Sequence, residues 1–88
     1  MELREWINRE AGKREGERLG AAGIRPVAEK LGENPRTVYA WYRLERAPSF
    51  PAALNIVITS GREVDYNGIF GPFGRAAVEV EGGRRELG

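Results

Sequence analysis

Apolar residues recur at the spacing of an α-helix from the first residues of the chain onward. Leu3, Trp6 and Ile7 fall on one face of a helix that starts at about Glu2, and Trp6 is a predicted core anchor. Gly12 follows this stretch, and a glycine inside a helix costs about 1 kcal/mol relative to alanine. The pattern therefore predicts a first helix that either breaks near Gly12 or runs on weakly.

The stretch from Ile24 to Arg46 predicts two short helices joined by a tight turn, with Gly20 and Gly23 forming a turn in front of them. The first of these helices is predicted to bury one stripe of apolar residues. That stripe consists of Ile24, Val27, Ala28 and Leu31. Gly32 is predicted to end the helix, because the residue after a helix often adopts a left-handed conformation that glycine reaches without strain.

The second helix of the pair is predicted to cover about residues 35–46. Asn34 is a good N-cap and is expected to accept the backbone N–H of Thr37, an interaction worth about 1 kcal/mol. Pro35 suits the first helical position, where its missing N–H has no partner to lose. Val38 and Trp41 are predicted to face the core, with Tyr42 at the edge of that stripe. The outward residues are Arg36, Ala40 and Arg43, with Tyr39 flanking them.

A further helix is predicted from about Phe50 to Ser60. Ser49 provides its N-cap, and Gly61 follows its last apolar residues. The predicted buried stripe consists of Phe50, Ala53, Leu54, Val57 and Ile58. Ile56 is then expected to point away from that stripe into solvent.

The end of the chain gives a weaker pattern. Val64 is predicted to fold back on the core, and Asp65 to cap a single helical turn, YNGIF. Further on, AAVEVE alternates with a period of two, and a Gly-Gly pair would join it to RREL as a hairpin. An isolated hairpin is marginal in water. Two interpretations of residues 74–88 therefore stay open, a tail without fixed structure and a β-strand or hairpin that pairs with another surface.

The composition is that of one small folded domain. The chain has 88 residues, of which 31% are charged and 41% hydrophobic, which suffices for one modest core. The net charge of +1 means that any nucleic-acid site must be a local patch. Cysteine and histidine are absent, which excludes disulfides, nearly all zinc sites and the usual general base. We therefore expect neither an enzyme nor a bound metal or cofactor.

The sequence also bears on location. No run approaches the roughly 20 apolar residues that span a bilayer, and the charged start MELREWINRE is not typical of a signal peptide. These patterns predict a protein of the cytoplasm that has no membrane partner.

The pair of helices resembles a known family. Ala28, Gly32, Val38 and Trp41 at their spacings resemble the bacterial helix-turn-helix signature, in which a small alanine lets two helices cross closely. The segments Arg46-Ala47-Pro48, PAALNIVITSG and GREVDYNGIFGPF are similar to the later part of small phage Cro-type repressors and of the YdaS-like group. The resemblance covers about residues 24–73. Glu33 departs from it, because such motifs usually carry an apolar residue there.

The resemblance implies a fold and an organisation. The expected fold is mainly α, a compact four- to five-helix domain like that of lambda repressor and Cro, with a short C-terminal tail or β-strand. Residues 1–73 would form the DNA-binding domain, and residues 74–88 the tail or the strand that completes a dimer.

The resemblance also implies a site on double-stranded DNA, with the second helix of the motif in the major groove. The predicted base contacts are Arg36, Tyr39, Ala40 and Arg43. The predicted backbone contacts are Arg25, Lys30, Asn34, Thr37 and Arg46. Three arginines and one glutamate between Asn34 and Arg46 give a local charge of only +2. A monomer is therefore expected to bind weakly at physiological salt, and a homodimer would place two copies of the helix about 34 Å apart.

The predicted dimer contacts are Ile56, Phe70 and Phe73. The predicted function is that of a phage or prophage transcriptional regulator, a repressor or Cro-like protein in the bacterial cytoplasm that binds a palindromic operator. Two alternatives stay open. One is the antitoxin of a toxin–antitoxin pair, with a toxin as its partner, and the other is a helix-turn-helix adaptor that contacts a phage or polymerase protein.

Overall fold

The structure is a computed structural model that describes the backbone of residues 1–87 and the side chains of residues 1–79. Residues 1–87 form five α-helices and no β-strand. In chain order these are α1 (Leu3–Glu10), α2 (Ala21–Leu31), α3 (Pro35–Tyr42), α4 (Phe50–Thr59) and α5 (Tyr66–Leu87). The predicted compact, mainly α-helical fold is confirmed.

One hydrophobic core joins all five helices. Its buried side chains are Leu3, Trp6, Ile7, Leu19, Ile24, Val27, Ala28, Leu31, Val38, Trp41, Ala53, Ile56, Val64 and Ile69. Trp6 is only 1% exposed, as expected of a core anchor. The closest helix pair is α2 and α3. Because two short helices bury little surface by themselves, the flanking helices supply the rest of the core that holds this pair in place.

The helix α2 begins three residues earlier than the sequence predicts, at Ala21, and contains Pro26. It ends where predicted. Gly32 has φ 69°, in the left-handed region, and the N–H of Glu33 donates to the carbonyl of Ala28 at 2.9 Å. This pair of features closes the helix and starts the tight turn into α3.

The helix α3 is shorter than predicted. It ends at Tyr42, four residues before the expected end at Arg46. Leu44 adopts φ 60°, and the N–H of Glu45 donates back to the carbonyl of Ala40 at 2.9 Å. A left-handed conformation at a residue other than glycine costs about 1–2 kcal/mol, so the sequence carries no signal for this end.

The N-terminus of α3 confirms Asn34 as the cap and corrects its partner. The Asn34 Oδ1 accepts the backbone N–H of Arg36 at 2.9 Å, and not that of Thr37. Val38 and Trp41 are buried and Tyr42 is half-buried, as predicted. The rotation of α3 about its own axis therefore agrees with the sequence pattern.

The helix α4 has the predicted bounds and cap, since Ser49 Oγ accepts the N–H of Ala52. The predicted buried stripe is right for Ala53, which is buried, and for Val57, which packs half-buried against the core, and wrong for its other three residues. Phe50, Leu54 and Ile58 are 68%, 41% and 66% exposed, whereas Ile56 is fully buried. The expectation that Ile56 points outward as a dimer contact is therefore also wrong. The Asn55 amide donates to the Leu31 carbonyl at 2.7 Å, and this bond forms in the same rotation of α4 that places Ile56 in the core.

The helix α5 extends the single predicted turn as far as Leu87, so residues 74–87 form neither the tail without fixed structure nor the strand or hairpin that the sequence left open. Asp65 Oδ1 accepts the N–H of Gly68 at 2.7 Å, so Asp65 does act as a cap. The helix then continues for 22 residues, across the predicted boundary at residue 73. Alanine, glutamate and arginine are good helix formers, and they extend a helix that has already started. Val64, just before α5, is buried on the core as predicted.

Candidate nucleic-acid interface

The surface of α3 opposite the core carries the residues predicted to contact bases. Val38 and Trp41, which are 0% and 3% exposed, fix the inner side of the helix. The residues on the other side lie at helical spacings of three, four and seven, so they share one face. They are Arg36, Tyr39, Ala40 and Arg43. Arg36 is exposed in the first turn, Ala40 is half-buried, and Arg43 lies just past the last turn as the C-cap.

Two stacked tyrosine rings lie between two arginine side chains at the C-terminal end of α3. The Arg43 guanidinium lies 5.7 Å from the centre of the Tyr39 ring, and the Tyr39 and Tyr42 rings are 6.5 Å apart and nearly parallel. On the far side, the Arg4 guanidinium lies 5.0 Å from the centre of the Tyr42 ring. Such contacts between a cation and an aromatic face are favourable and hold both groups in place.

The end of α3 is attached to α1 by hydrogen bonds. Arg4 donates through Nε and Nη2 to the carbonyl of Tyr42, at 3.0 and 2.6 Å. The Tyr42 hydroxyl donates to Asn8 Oδ1 at 2.7 Å. A cation beside the last carbonyls of a helix is also favoured by the helix dipole. The orientation of the α3 surface is therefore fixed at its C-terminal end.

Arg43 is charged and only weakly paired. Its Nε lies 3.1 Å from Glu45 Oε1, and both side chains are more than half exposed. The neighbouring Tyr39 hydroxyl, and after it Glu45, raise the pKa of Arg43 above its usual value. Because exposed ion pairs contribute little, this guanidinium can exchange Glu45 for another anion at small cost.

The predicted backbone contacts are only partly brought together. Thr37 and Arg46 line one shallow groove of about 270 Å³ between α3 and the start of α4. Glu33 and Ser49 line the same groove, so a phosphate there would meet one cation and one carboxylate. The Asn34 Oδ1 is occupied by its capping bond, which leaves the Nδ2 group of the same side chain as a donor for phosphate. Arg25 is exposed on α2.

Lys30 lies apart from the other predicted contacts, because it is directed at α1. Its Nζ is 2.5 Å from Glu10 Oε1 and 5.9 Å from the centre of the Trp6 ring. The hydrogen bond from Lys30, with a smaller contribution from Arg9, lowers the pKa of Glu10 below its usual value. A phosphate would have to compete with Glu10 for this ammonium group.

A cleft beside α3 contains cations that the sequence does not single out. It has a volume of about 580 Å³, and we call it the basic cleft. Its lining residues are Arg4, Lys13, Glu17, Arg18, Leu19, Gly20, Tyr39, Tyr42 and Arg43. Along the chain, Lys13 and Arg18 are interleaved with glutamates in GKREGERL. Only the fold brings them next to Arg4 and Arg43, so the linear charge pattern gives no indication of this site.

The described part of the chain offers neither a metal-binding group nor a membrane-spanning helix. Among those residues, no three histidine, cysteine, aspartate or glutamate side chains are grouped to hold a metal ion. None of the helices within them is both long and apolar enough to cross a lipid bilayer. Comparison of the chain with family models, with curated proteins and with solved structures found no match.

Proposed function

We propose that this protein binds double-stranded DNA sequence-specifically through α3 and regulates transcription in the manner of a Cro-like or repressor-like protein. The observation that carries the proposal is the polar outer face of α3, where Arg36 and Arg43 flank the small residue Ala40. A helix that enters the major groove needs small residues for close approach and long donors for base edges. The close α2–turn–α3 pair and the left-handed Gly32 support the same function.

Arg36 is the first candidate for reading a base. It lies in the N-terminal turn of α3, the part of a recognition helix that usually contacts base edges. A bidentate arginine to guanine O6 and N7 is worth about 1–3 kcal/mol of discrimination. Tyr39 and Ala40 follow on the same face, where they would contact a thymine methyl or a phosphate. Arg43 is about 10 Å further along the helix axis and would contact the next bases or the groove wall.

The backbone contacts would fix the position of α3 without reading sequence. Arg25, Thr37 and Arg46 are the main candidates because their surroundings leave them accessible. Asn34 would contribute through its backbone or its Nδ2 group, since its Oδ1 caps α3. Lys30 would contribute less than the arginines because it is already paired with Glu10.

Tight binding would require two copies of the protein, and the outer face of α4 offers a surface for pairing. Phe50, Leu54 and Ile58 are spaced by four residues and are all exposed. Tyr66 extends this apolar face, with its ring 5.8 Å from that of Phe50 and nearly parallel to it. Exposed contiguous apolar surface on a small protein marks an interaction site.

The spacing of this face favours a second copy of the same chain as the partner. Leu54 lies midway between Phe50 and Ile58. If two α4 helices cross antiparallel at Leu54, Phe50 of each copy packs on Ile58 of the other, as a two-fold interface requires. This face replaces Ile56 as the proposed dimer contact. Phe70 and Phe73 are half-buried and would lie at its margin at most.

The proposed dimer is expected to be weak without DNA. Stable interfaces bury about 800 Å² on each partner, which is more than these four side chains supply. Mass action therefore favours the dimer at high protein concentration or on a palindromic operator that binds two copies. In a bacterial cell such a regulator would act in the cytoplasm, at the nucleoid.

A second candidate function is supported by the same face of α4. A helix-turn-helix adaptor would use this apolar surface to bind a phage or polymerase protein and would not need DNA. The antitoxin alternative would combine the α3 surface with a toxin as a further partner. The outer face of α3 favours DNA over the adaptor because it carries arginines instead of apolar groups.

Selection of duplexes from a random pool, followed by salt titration, tests the proposal. We expect a palindromic consensus and a loss of affinity between about 50 and about 200 mM salt that reflects several phosphate contacts. Arg62→Gln is a suitable charge control, because Arg62 lies exposed beyond the C-terminal end of α4. Absence of duplex binding by the wild-type protein at about 50 mM salt would reject DNA as the partner and leave the adaptor.

A further inference from the structure

The basic cleft has an unusual charge for this protein. Arg4, Lys13, Arg18 and Arg43 line it, and Glu17 is the one acidic residue in the lining. Four cations against one carboxylate give a local charge of +3, whereas the whole chain has a net charge of +1. Positive charges collected in a cleft attract anions more strongly than the same charges spread over a surface. The charge of the cleft therefore favours the binding of an anion.

The backbone of the loop between α1 and α2, which carries Lys13 and Arg18, is fixed at both ends. The backbone N–H of Lys13 donates to the carbonyl of Asn8 at 2.9 Å, and Leu19 is buried in the core at the other end. Between them the chain turns at Gly16, whose φ of 81° excludes most other residues. The loop is thus tied down on both sides of Lys13 and Arg18.

The opposite wall of the cleft is equally fixed. Arg4 is held by its two hydrogen bonds to the Tyr42 carbonyl, and the Tyr42 hydroxyl is held by Asn8. Cations that are already positioned lose less side-chain freedom when they bind an anion.

The cleft adjoins the surface proposed to read DNA, because Tyr39 and Arg43 belong to both. A strand whose bases lie under α3 must pass its phosphates along the side of that helix. We propose that the basic cleft binds a phosphodiester of that strand, with Lys13 and Arg18 as its principal contacts. This inference rests on the proposed function, because it places the DNA backbone relative to α3.

The shape of the cleft favours a polymer over a free phosphate or nucleotide. It is open to solvent, and its charged lining residues are exposed except for the half-buried Lys13, so it would not enclose a small ligand. A DNA backbone can pass through an open cleft and continue on both sides. Phosphate oxyanions are the chemistry that the two sources share, and titrations with duplex DNA and with inorganic phosphate distinguish them.

The test measures binding of the selected duplex and of a random duplex by fluorescence anisotropy across a salt series. The double variant Lys13→Gln, Arg18→Gln should weaken both duplexes by the same factor. It should also reduce the slope of log K against log salt by about 0.9 for each phosphate that the protein no longer neutralises. Glu17→Gln should tighten both. Arg14→Gln is the matched control, because Arg14 is an exposed cation of the same loop that does not line the cleft.

The outcomes separate the two proposals. If the wild-type protein binds duplex DNA and the double variant keeps the salt slope of Arg14→Gln, the cleft assignment is wrong and the proposed function stands. If the wild-type protein binds neither duplex, both fail. A titration with inorganic phosphate, followed by the amide NMR signals of Gly16 and Gly20, provides the other arm. If the wild-type protein saturates with phosphate and the double variant does not, while the double variant keeps the wild-type affinity for DNA, the cleft binds a free phosphate ligand instead.

Discussion

The helices α3 and α4 begin with the same kind of cap but present chemically different surfaces to solvent. Each starts at a capping side chain, Asn34 or Ser49, followed by a proline in its first turn. On the outside, α3 presents arginine and tyrosine, whereas α4 presents Phe50 and Ile58 at 68% and 66% exposure. A polar, cationic surface suits DNA, and a continuous apolar surface suits another protein. Under the proposed function, α3 would bind DNA and α4 would bind the second copy of the chain.

The largest expected effect concerns the inner and outer faces of α4. Ile56→Ala should destabilise the fold by about 2–5 kcal/mol, because Ile56 is fully buried and the change leaves a cavity. Ile58→Ala should change the free energy of unfolding by no more than about 0.5 kcal/mol, as at other surface positions. Urea unfolding at low protein concentration measures both. Equal losses for the two variants would contradict the orientation of α4.

The second prediction addresses the outer face of α4 without touching the core. Leu54→Glu would place two like charges at the centre of the proposed two-fold contact, where burial of unpaired charge is costly. We expect this variant to remain monomeric in sedimentation equilibrium at concentrations where the wild-type protein dimerises, with a similar unfolding midpoint in dilute solution. Its affinity for a palindromic operator should fall by about tenfold or more, since only one copy would bind firmly. If this variant dimerises as strongly as the wild-type protein, the dimer contact lies elsewhere on the surface.

The third prediction divides the surface of α3 into residues that read bases and residues that hold the backbone. Arg36→Ala should lower affinity for the selected operator by roughly 5- to 150-fold, corresponding to about 1–3 kcal/mol. Its affinity for random duplexes should change little. Arg46→Ala should weaken all sequences alike and reduce the salt slope. Equal effects of both variants on operator and random DNA would remove the base-reading assignment.

The smallest expected effect is a dependence of stability on pH that comes from two ion pairs of α1, one with α2 and one with the segment that follows α4. The pKa of Glu10 is held below its ordinary value by Lys30, and that of Glu63 by Arg9. A carboxylate with a depressed pKa in the folded state stabilises the protein fully above its ordinary value of 4.5, and this contribution is lost as the pH falls below it. Thermal unfolding between about pH 7 and about pH 3 should show a small decrease on the acid side.

Glu10→Gln tests the pair of Glu10 and Lys30. This variant should lose less thermal stability at acid pH than the wild-type protein. The contribution is modest because Lys30 and Glu63 are about half exposed. The exposed apolar side chains of α4 do not titrate, so dimerisation should not follow the same curve. An unchanged pH dependence in Glu10→Gln would show that the pair does not contribute to stability.

Most of the helical architecture is predictable from local signals. Gly32 and the capping residues Asn34 and Ser49 lie where the structure uses them, because caps act through contacts within a few residues. The early end of α3 at Tyr42 is not predictable in the same way, since Leu44 adopts a conformation that its side chain disfavours. The helical C-terminus is equally hard to predict, because AAVEVE fits a period of two as well as a helix built from good helix formers.

The candidate site likewise has one part that the sequence predicts and one part that it does not. The outer face of α3 follows from its periodicity, because buried Val38 and Trp41 leave only one rotation of that helix. The basic cleft has no counterpart in the linear sequence, because Arg4 and Arg43 are 39 positions apart and meet only through the packing of α1 against α3.

By itself, the sequence determined the helices that have one apolar side, since a single stripe can be buried in only one way. It also determined their caps, because capping is local. The tertiary structure alone decided which side of α4 is buried: FPAALNIVIT contains no charged residue, so its periodicity could not choose between faces. In the folded protein Ile56 packs in the core and Asn55 bonds to the end of α2, which leaves Phe50, Leu54 and Ile58 exposed.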